Sequence, residues 1–204
     1  MKSSYLRAGL ALLCGVILSA CGGNNGSLSL SGTISYPSGL PKAGLVLVNN
    51  GNGEKLTIET GATAFYFTKL LGSDEQFDVE IANQPTGAKC EIANNKGKAS
   101  VYTVYTVAVS CKANPYTLGG TVKGLTGKGL VLANGSDLVS IDPAATAGAD
   151  VTFKFPTSVS DGSPYGATVL TQPANQKCAF DAGNNPGTMP GDNQLGLIVN
   201  CTNN

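Results

Sequence analysis

The ten residues NQPTGAKCEI at 83–92 return as TQPANQKCAF at 171–180. The echo belongs to a longer internal repeat. GTISYPSGLPKAGLVLVNNGNGEKLTI from Gly32 aligns with GTVKGLTGKGLVLANGSDLVSI from Gly120, and FYFTKLLGSDEQFDVEIANQP from Phe65 aligns with FKFPTSVSDGSPYGATVLTQP from Phe153. Phe65, Phe67, Phe77, Gln84 and Cys90 have counterparts 88 positions later in Phe153, Phe155, Tyr165, Gln172 and Cys178. Insertions fall between the matching blocks, where loops accommodate them. Such a chain folds as two copies of one unit, at residues 30–112 and 116–204. KANPY separates them, and Pro115 biases the residue before it toward an extended backbone.

Within each copy the hydrophobic period is two. Phe77, Val79 and Ile81 alternate with Asp78 and Glu80; Val151, Phe153 and Phe155 alternate with Thr152 and Lys154. That pattern belongs to strands with one buried face. Asn134-Gly135 and the run Asn50-Gly51-Asn52-Gly53 stand at matching places between strand-like segments, as hairpin turns do. Six or seven short strands per copy predict an all-β chain of two tandem β-sandwiches. The 27 Gly and 10 Pro suit the many turns this requires. Gln-Pro reads as the turn that follows an inward-facing strand, with Pro pre-setting the backbone.

The amino terminus reads differently. Lys2 and Arg7 precede an uncharged, mostly apolar run at residues 8–20 that stops at Cys21. Its 13 residues match the core of an export signal and are too few to span a bilayer as a helix. Leu18-Ser19-Ala20-Cys21 resembles the lipobox of bacterial lipoproteins. The resemblance implies removal of residues 1–20 and acylation of Cys21, with palmitate among the chains. Residues 21–29 then form a lipidated amino terminus and short linker. Two or three acyl chains hold a protein to a bilayer durably, since each buried CH2 contributes about 0.8 kcal/mol. Gly22 follows where the lipoprotein pattern places Asp for inner-membrane retention, so the expected address is the outer membrane, facing the periplasm or the outside.

Cys14 leaves with the leader and Cys21 is consumed by lipid, so four of the six cysteines remain. An even remainder in an exported chain reads as a disulfide framework. Three pairings are possible. A duplicated unit that carries both partners favours Cys90 with Cys111 and Cys178 with Cys201. A zinc site is the rival, but zinc cysteines come in closely spaced pairs, and here 20 and 22 residues intervene. The alternation also places Cys201 on one face with Leu195, Leu197 and Val199.

Other chemistry finds few residues to use. The chain has no His, which removes Ser-His and Cys-His pairs and the commonest transition-metal ligand. Asp78 and Glu80 are paired carboxylates, as a glycosidase uses, but they lie on the outward side of an alternating strand. Asp181, Asn184, Asn185 and Asp192 are oxygen donors of the kind calcium takes, yet they lack an EF-hand spacing and turns use the same residues. A lysine–asparagine crosslink needs a buried lysine beside an acid, and the lysines mostly flank turns or point outward. Cleavage of the leader takes the 13 basic residues to 11 against 13 acidic, a balance of −2, which invites no nucleic acid. No catalytic residue, metal or cofactor is implied.

GTVKGLTGKGLVLANG, FKF, VLTQPANQKC and IVNC in the second copy, with GLVLVNNG, FYF, NQPTGAKC and VSC in the first, resemble a repeat of uncharacterised exported and lipid-anchored proteins of Gram-negative bacteria. The opening Gly-Thr segment and Phe-x-Phe strand are also similar to prealbumin-like and immunoglobulin-like surface modules. The resemblance implies a secreted β-sandwich with no active site to transfer. The expected function is a non-enzymatic outer-membrane lipoprotein with a structural, adhesion or envelope-assembly role. Its partners are the bilayer through acylated Cys21 and an envelope protein or glycan. The alternative is a module that binds glycan or another envelope ligand, with Tyr36, Tyr102, Tyr105 and Tyr116 as stacking residues.

Overall fold

The computed structural model describes residues 26–38 and 41–204. The stretch read as a leader and Cys21, the expected acylation site, lie outside the described residues. The first repeat contains β1 (Ser31–Ser38), β2 (Val46–Asn49), β3 (Glu54–Thr57), β4 (Ala64–Tyr66), β5 (Gln76–Asn83), β6 (Ala88–Ala93), β7 (Lys96–Lys98) and β8 (Val107–Ala113). The second contains β9 (Pro115–Tyr116), β10 (Leu118–Lys123), β11 (Leu130–Asn134), β12 (Asp137–Ile141), β13 (Val151–Lys154), β14 (Val159–Ser160), β15 (Pro164–Tyr165), β16 (Ala167–Thr171), β17 (Gln176–Phe180), β18 (Gly187–Thr188) and β19 (Gln194–Asn203). The described residues are all-β, with no helix among them.

Each repeat packs two sheets face to face. In the first, β4-β1-β8-β6 opposes β3-β2-β5-β7; in the second, β13-β10-β19-β17 opposes β12-β11-β16. The first and last long strands of each repeat run parallel, β1 beside β8 and β10 beside β19. Chain entry and the segment leading into the last strand therefore meet at one end of the sandwich. Chain exit lies at the other end.

The period-two residues fill these interiors. Phe65, Phe67, Phe77, Val79, Val107 and Val109 are buried in one core, and Leu118, Leu132, Phe153, Phe155, Leu197 and Val199 in the other. Phe65 meets Phe67 edge to face at 6.0 Å, and Phe153 meets Phe155 at 5.7 Å, because residues two apart share a strand face.

Three details depart from the sequence reading. Among the described residues the strands number eight and eleven, because short pieces split what alternation reads as single strands. The counterpart of β5 breaks at Gly166, whose N–H donates to the Asn134 side chain at 3.1 Å. Leu195 is exposed and does not share the buried face of Leu197 and Val199. The β10–β19 register shifts between Leu118↔Gln194 and Gly120↔Leu197, and one extra residue turns Leu195 to the opposite face. Leu28, within the stretch read as linker, pairs with Leu71 and packs on the core. The folded unit thus begins closer to Cys21 than residue 30.

Candidate functional site

The cysteines stand directly opposite each other on neighbouring antiparallel strands, Cys90↔Cys111 on β6 and β8, Cys178↔Cys201 on β17 and β19. Both pairs are disulfide-bonded. Their Cα atoms lie 3.9 and 4.0 Å apart, the narrow spacing of a non-hydrogen-bonded pair. At such a pair the backbone N–H and C=O of each cysteine turn away from the partner strand. β6 and β17 are edge strands, so those groups of Cys90 and Cys178 face an open sheet edge.

The repeated glutamine closes that edge. The Cys90 N–H donates to Gln84 Oε1 at 2.7 Å and Gln84 Nε2 donates to the Cys90 carbonyl at 3.0 Å. Gln172 holds Cys178 with the same two distances. A carboxamide carries the donor and acceptor of a peptide unit, so it stands in for one residue of a missing strand. Sequence reasoning missed this role and saw only a turn. The signal was present in the identical spacing of six residues from Gln to Cys in both copies.

The two repeats meet end to end. Gly87, at the exit end of repeat 1, accepts the Asn114 N–H at 2.9 Å, and the Asn114 carbonyl accepts the Asp161 N–H from repeat 2 at 2.9 Å. Lys42 Nζ lies 2.8 Å from Asp161 Oδ2, with side chains 19% and 11% exposed. Lys42 is thus the exception among lysines that point outward, and its acid comes from the other repeat. Gly87 has φ +74°, and a Cβ there would overlap the Asp161 carboxylate. Glycine is required for the carboxylate to come this close. An ion pair so poorly hydrated is held by geometry, and breaking it from one side leaves an uncompensated charge. Lys42→Glu is expected to release the repeats from a fixed relative orientation, read as averaging of their residual dipolar couplings, while each repeat keeps its own spectrum. Lys42→Glu combined with Asp161→Lys is expected to restore the orientation. Unchanged couplings in the single variant would remove the ion pair as the latch.

The remaining candidates resolve into structural roles. Lys96 Nζ bonds to Asp78 Oδ2 at 2.9 Å and Glu80 Oε1 at 3.1 Å, so one ammonium bridges both carboxylates. The Asp78 hydrogen bond first, then that to Glu80, raises the Lys96 pKa. Asn185 grips Ala167 through Oδ1 at 2.8 Å and Nδ2 at 2.7 Å, while Asp181 and Asp192 accept the N–H groups of Gly183 and Asn193. No cluster of three potential metal ligands occurs among the described residues. An apolar groove of about 240 Å³ between β3 and β4 is lined by Leu56, Ile58, Ala62 and Phe65, with Glu59 as its single carboxylate.

The four tyrosines do not assemble into one platform. Tyr36 is half-buried, its hydroxyl donates to the Ala62 carbonyl at 3.2 Å, and burial raises its pKa. Tyr116 packs on the second core. Tyr102 and Tyr105 alone of the four are exposed, in the segment leading into β8.

No family model and no curated protein matches the chain. Among solved structures, the major pilin protein (T-13) from Streptococcus pyogenes is similar at 8% identity, covering 88% of this chain and 98% of that chain, with a TM-score of 0.31. A pilus adhesin, SpaC, from Lactobacillus rhamnosus GG is similar at 11% identity and a TM-score of 0.35, covering 85% of this chain and 31% of that one. The chain spans about a third of the adhesin's length. At these values neither likeness carries an argument about what the chain does.

Proposed function

We propose that the chain is an outer-membrane lipoprotein, tethered through acylated Cys21, whose two sandwiches form a non-enzymatic structural, adhesion or envelope-assembly module. The anchor rests on Leu18-Ser19-Ala20-Cys21, and the observation that carries the structural module is the junction of Lys42, Gly87, Asn114 and Asp161. It seats repeat 2 on the end of repeat 1 opposite chain entry, so repeat 2 stands beyond repeat 1 from the anchor. A strand of eight residues such as β1 is about 27 Å long, which sets the reach of one sandwich. A partner for repeat 2 is therefore sought one sandwich length away from the anchoring membrane. Asp78, Glu80, Asn185, Gln84 and Gln172 all hydrogen-bond within the fold itself, which supports a structural role.

Intact mass spectrometry of membrane-extracted protein tests the anchor. Loss of residues 1–20, an added acyl mass and a gain of four hydrogens on reduction are expected. Cys21→Ser is expected to keep the disulfides and lose the acyl mass and the membrane association. Unmodified Cys21 in membrane-extracted protein would overturn the lipoprotein reading.

A further inference from the structure

Exposed large apolar side chains gather at one end of repeat 1. Leu70, Val101, Tyr102 and Tyr105 are 47%, 62%, 76% and 56% exposed. β1 and β8 run parallel and start at the same end, and β4 runs antiparallel to β1 with Tyr66 opposite Ser31. Residues 67–72 and 99–106 therefore border the place where the chain enters. Hydrogen bonds tie them there: the Ser31 N–H donates to the Val104 carbonyl at 2.6 Å, and the Asp74 N–H to the Ala99 carbonyl at 2.9 Å. Gly26 lies against the backbone of Leu70 and Leu71.

The other repeat shows what this end does when it has a protein partner. The Leu28↔Leu71 bridge corresponds, 88 positions on, to Tyr116↔Val159. That end of repeat 2 bears Asp161 and seats on repeat 1. Its segment at residues 190–196 reads PGDNQLG, where repeat 1 has SVYTVYT at 100–106. Gly191 lies beside the Asp161 carboxylate in the junction. The end that meets protein thus places Gly191 at the contact, whereas the same end of repeat 1, where the chain comes from Cys21, is aromatic.

We infer that Leu70, Val101, Tyr102 and Tyr105 form a docking surface for the bilayer that holds Cys21, with the tyrosines at headgroup level. This rests on the anchoring reading above. Five backbone steps lead from Cys21 to Gly26 and span at most about 18 Å when extended, so the patch is confined near the interface. Tyrosine suits that depth, because its ring enters the apolar boundary while its hydroxyl stays hydrated. Lys69 and Lys98 flank the patch and Asp74 and Glu75 adjoin it, two charges of each sign, so neither sign dominates. The contact is therefore apolar and insensitive to salt. Docking holds repeat 1 against the membrane, and the junction passes that orientation to repeat 2.

The chain has no Trp, so Tyr102→Trp installs a single reporter. The full acylated chain carrying it is reconstituted into vesicles of phosphatidylethanolamine and phosphatidylglycerol. Headgroup-level spin-labelled lipid is expected to quench its emission roughly twofold, with a shift to shorter wavelength that persists in high salt. Leu138→Trp, exposed on β12 of repeat 2, is expected to show neither. Tyr105→Trp serves as a second reporter of the same patch. Protein that floats with the vesicles while both patch reporters stay unquenched overturns the docking and leaves the anchor standing. Protein that does not float removes the anchor and the docking with it. A blue shift that grows with protein concentration in detergent, without quenching in vesicles, overturns docking in favour of a protein contact.

Discussion

Replacing Cys178 and Cys201 together by alanine is expected to lower the unfolding free energy of repeat 2 by about 3 kcal/mol, and the Cys90/Cys111 pair to do the same for repeat 1. The bridges join residues 23 and 21 positions apart. Cutting one releases a loop of that length in the unfolded chain, and the entropy of that loop is the main loss. The native state loses less, because Gln172 still holds the Cys178 position through its backbone and β17 keeps its ladder to β19. Urea unfolding of the oxidised protein and the two double variants, followed separately in each repeat by its own resonances, measures this. Each bridge lies within one repeat, so each double variant is expected to shift one transition far more than the other. A loss below about 1 kcal/mol would show that the unfolded chain is already compact enough to make the bridge redundant.

Gln176→Ala is expected to destabilise repeat 2 by about 3 kcal/mol, a large effect for one side chain outside the hydrophobic core. Gln176 is only 4% exposed and all of its hydrogen-bonding capacity is in use. Oε1 accepts the N–H groups of Thr126 and Gly127 at 2.8 and 2.9 Å, and Nε2 donates to the Gly124 carbonyl at 2.8 Å and to Asn203 Oδ1 at 3.1 Å. Truncation strands three backbone groups of the 124–127 turn and leaves a void. Gln176→Glu separates these two losses. It keeps the shape and the two accepted bonds but turns a carboxylate toward two oxygens, so it too is expected to be strongly destabilising. Chemical unfolding of both variants decides the matter, and a Gln176→Ala protein within 0.5 kcal/mol of the parent would remove the network as a stabiliser. Repeat 1 has Ala88 at the matching position, and its exit end is occupied by the junction to repeat 2.

Much of the architecture was legible because it follows from local rules. Alternation at Phe77–Ile81 and Val151–Phe155 named the buried faces, since a strand places every second side chain on the same side. The 88-residue offset named the duplication. Leu195 shows where that reasoning fails: a single extra residue in β19 inverts the face, and nothing in the alternating pattern marks the bulge. Gln84 and Gln172 were visible as repeated residues, but their partners lie across a turn and their purpose depends on which strand forms the sheet edge. Lys42 and Asp161 are 119 positions apart in different copies, and no periodicity connects them.

The sequence by itself determined that the chain is all-β, that its unit occurs twice, and that aromatic and aliphatic residues at period two form the cores. Those properties depend on residues close together along the chain, where strand geometry leaves few choices. Only the tertiary structure decided that each disulfide crosses one strand pair within a single sheet, that Gln84 and Gln172 close the edges those bridges expose, and that Asp161 of one repeat locks onto Lys42 of the other. It also decided which tyrosines reach the surface beside the chain entry. Each of these depends on strand order, register and the approach of one folded unit to another. These are set by packing of the whole chain, because residues far apart in sequence must meet before the interaction exists.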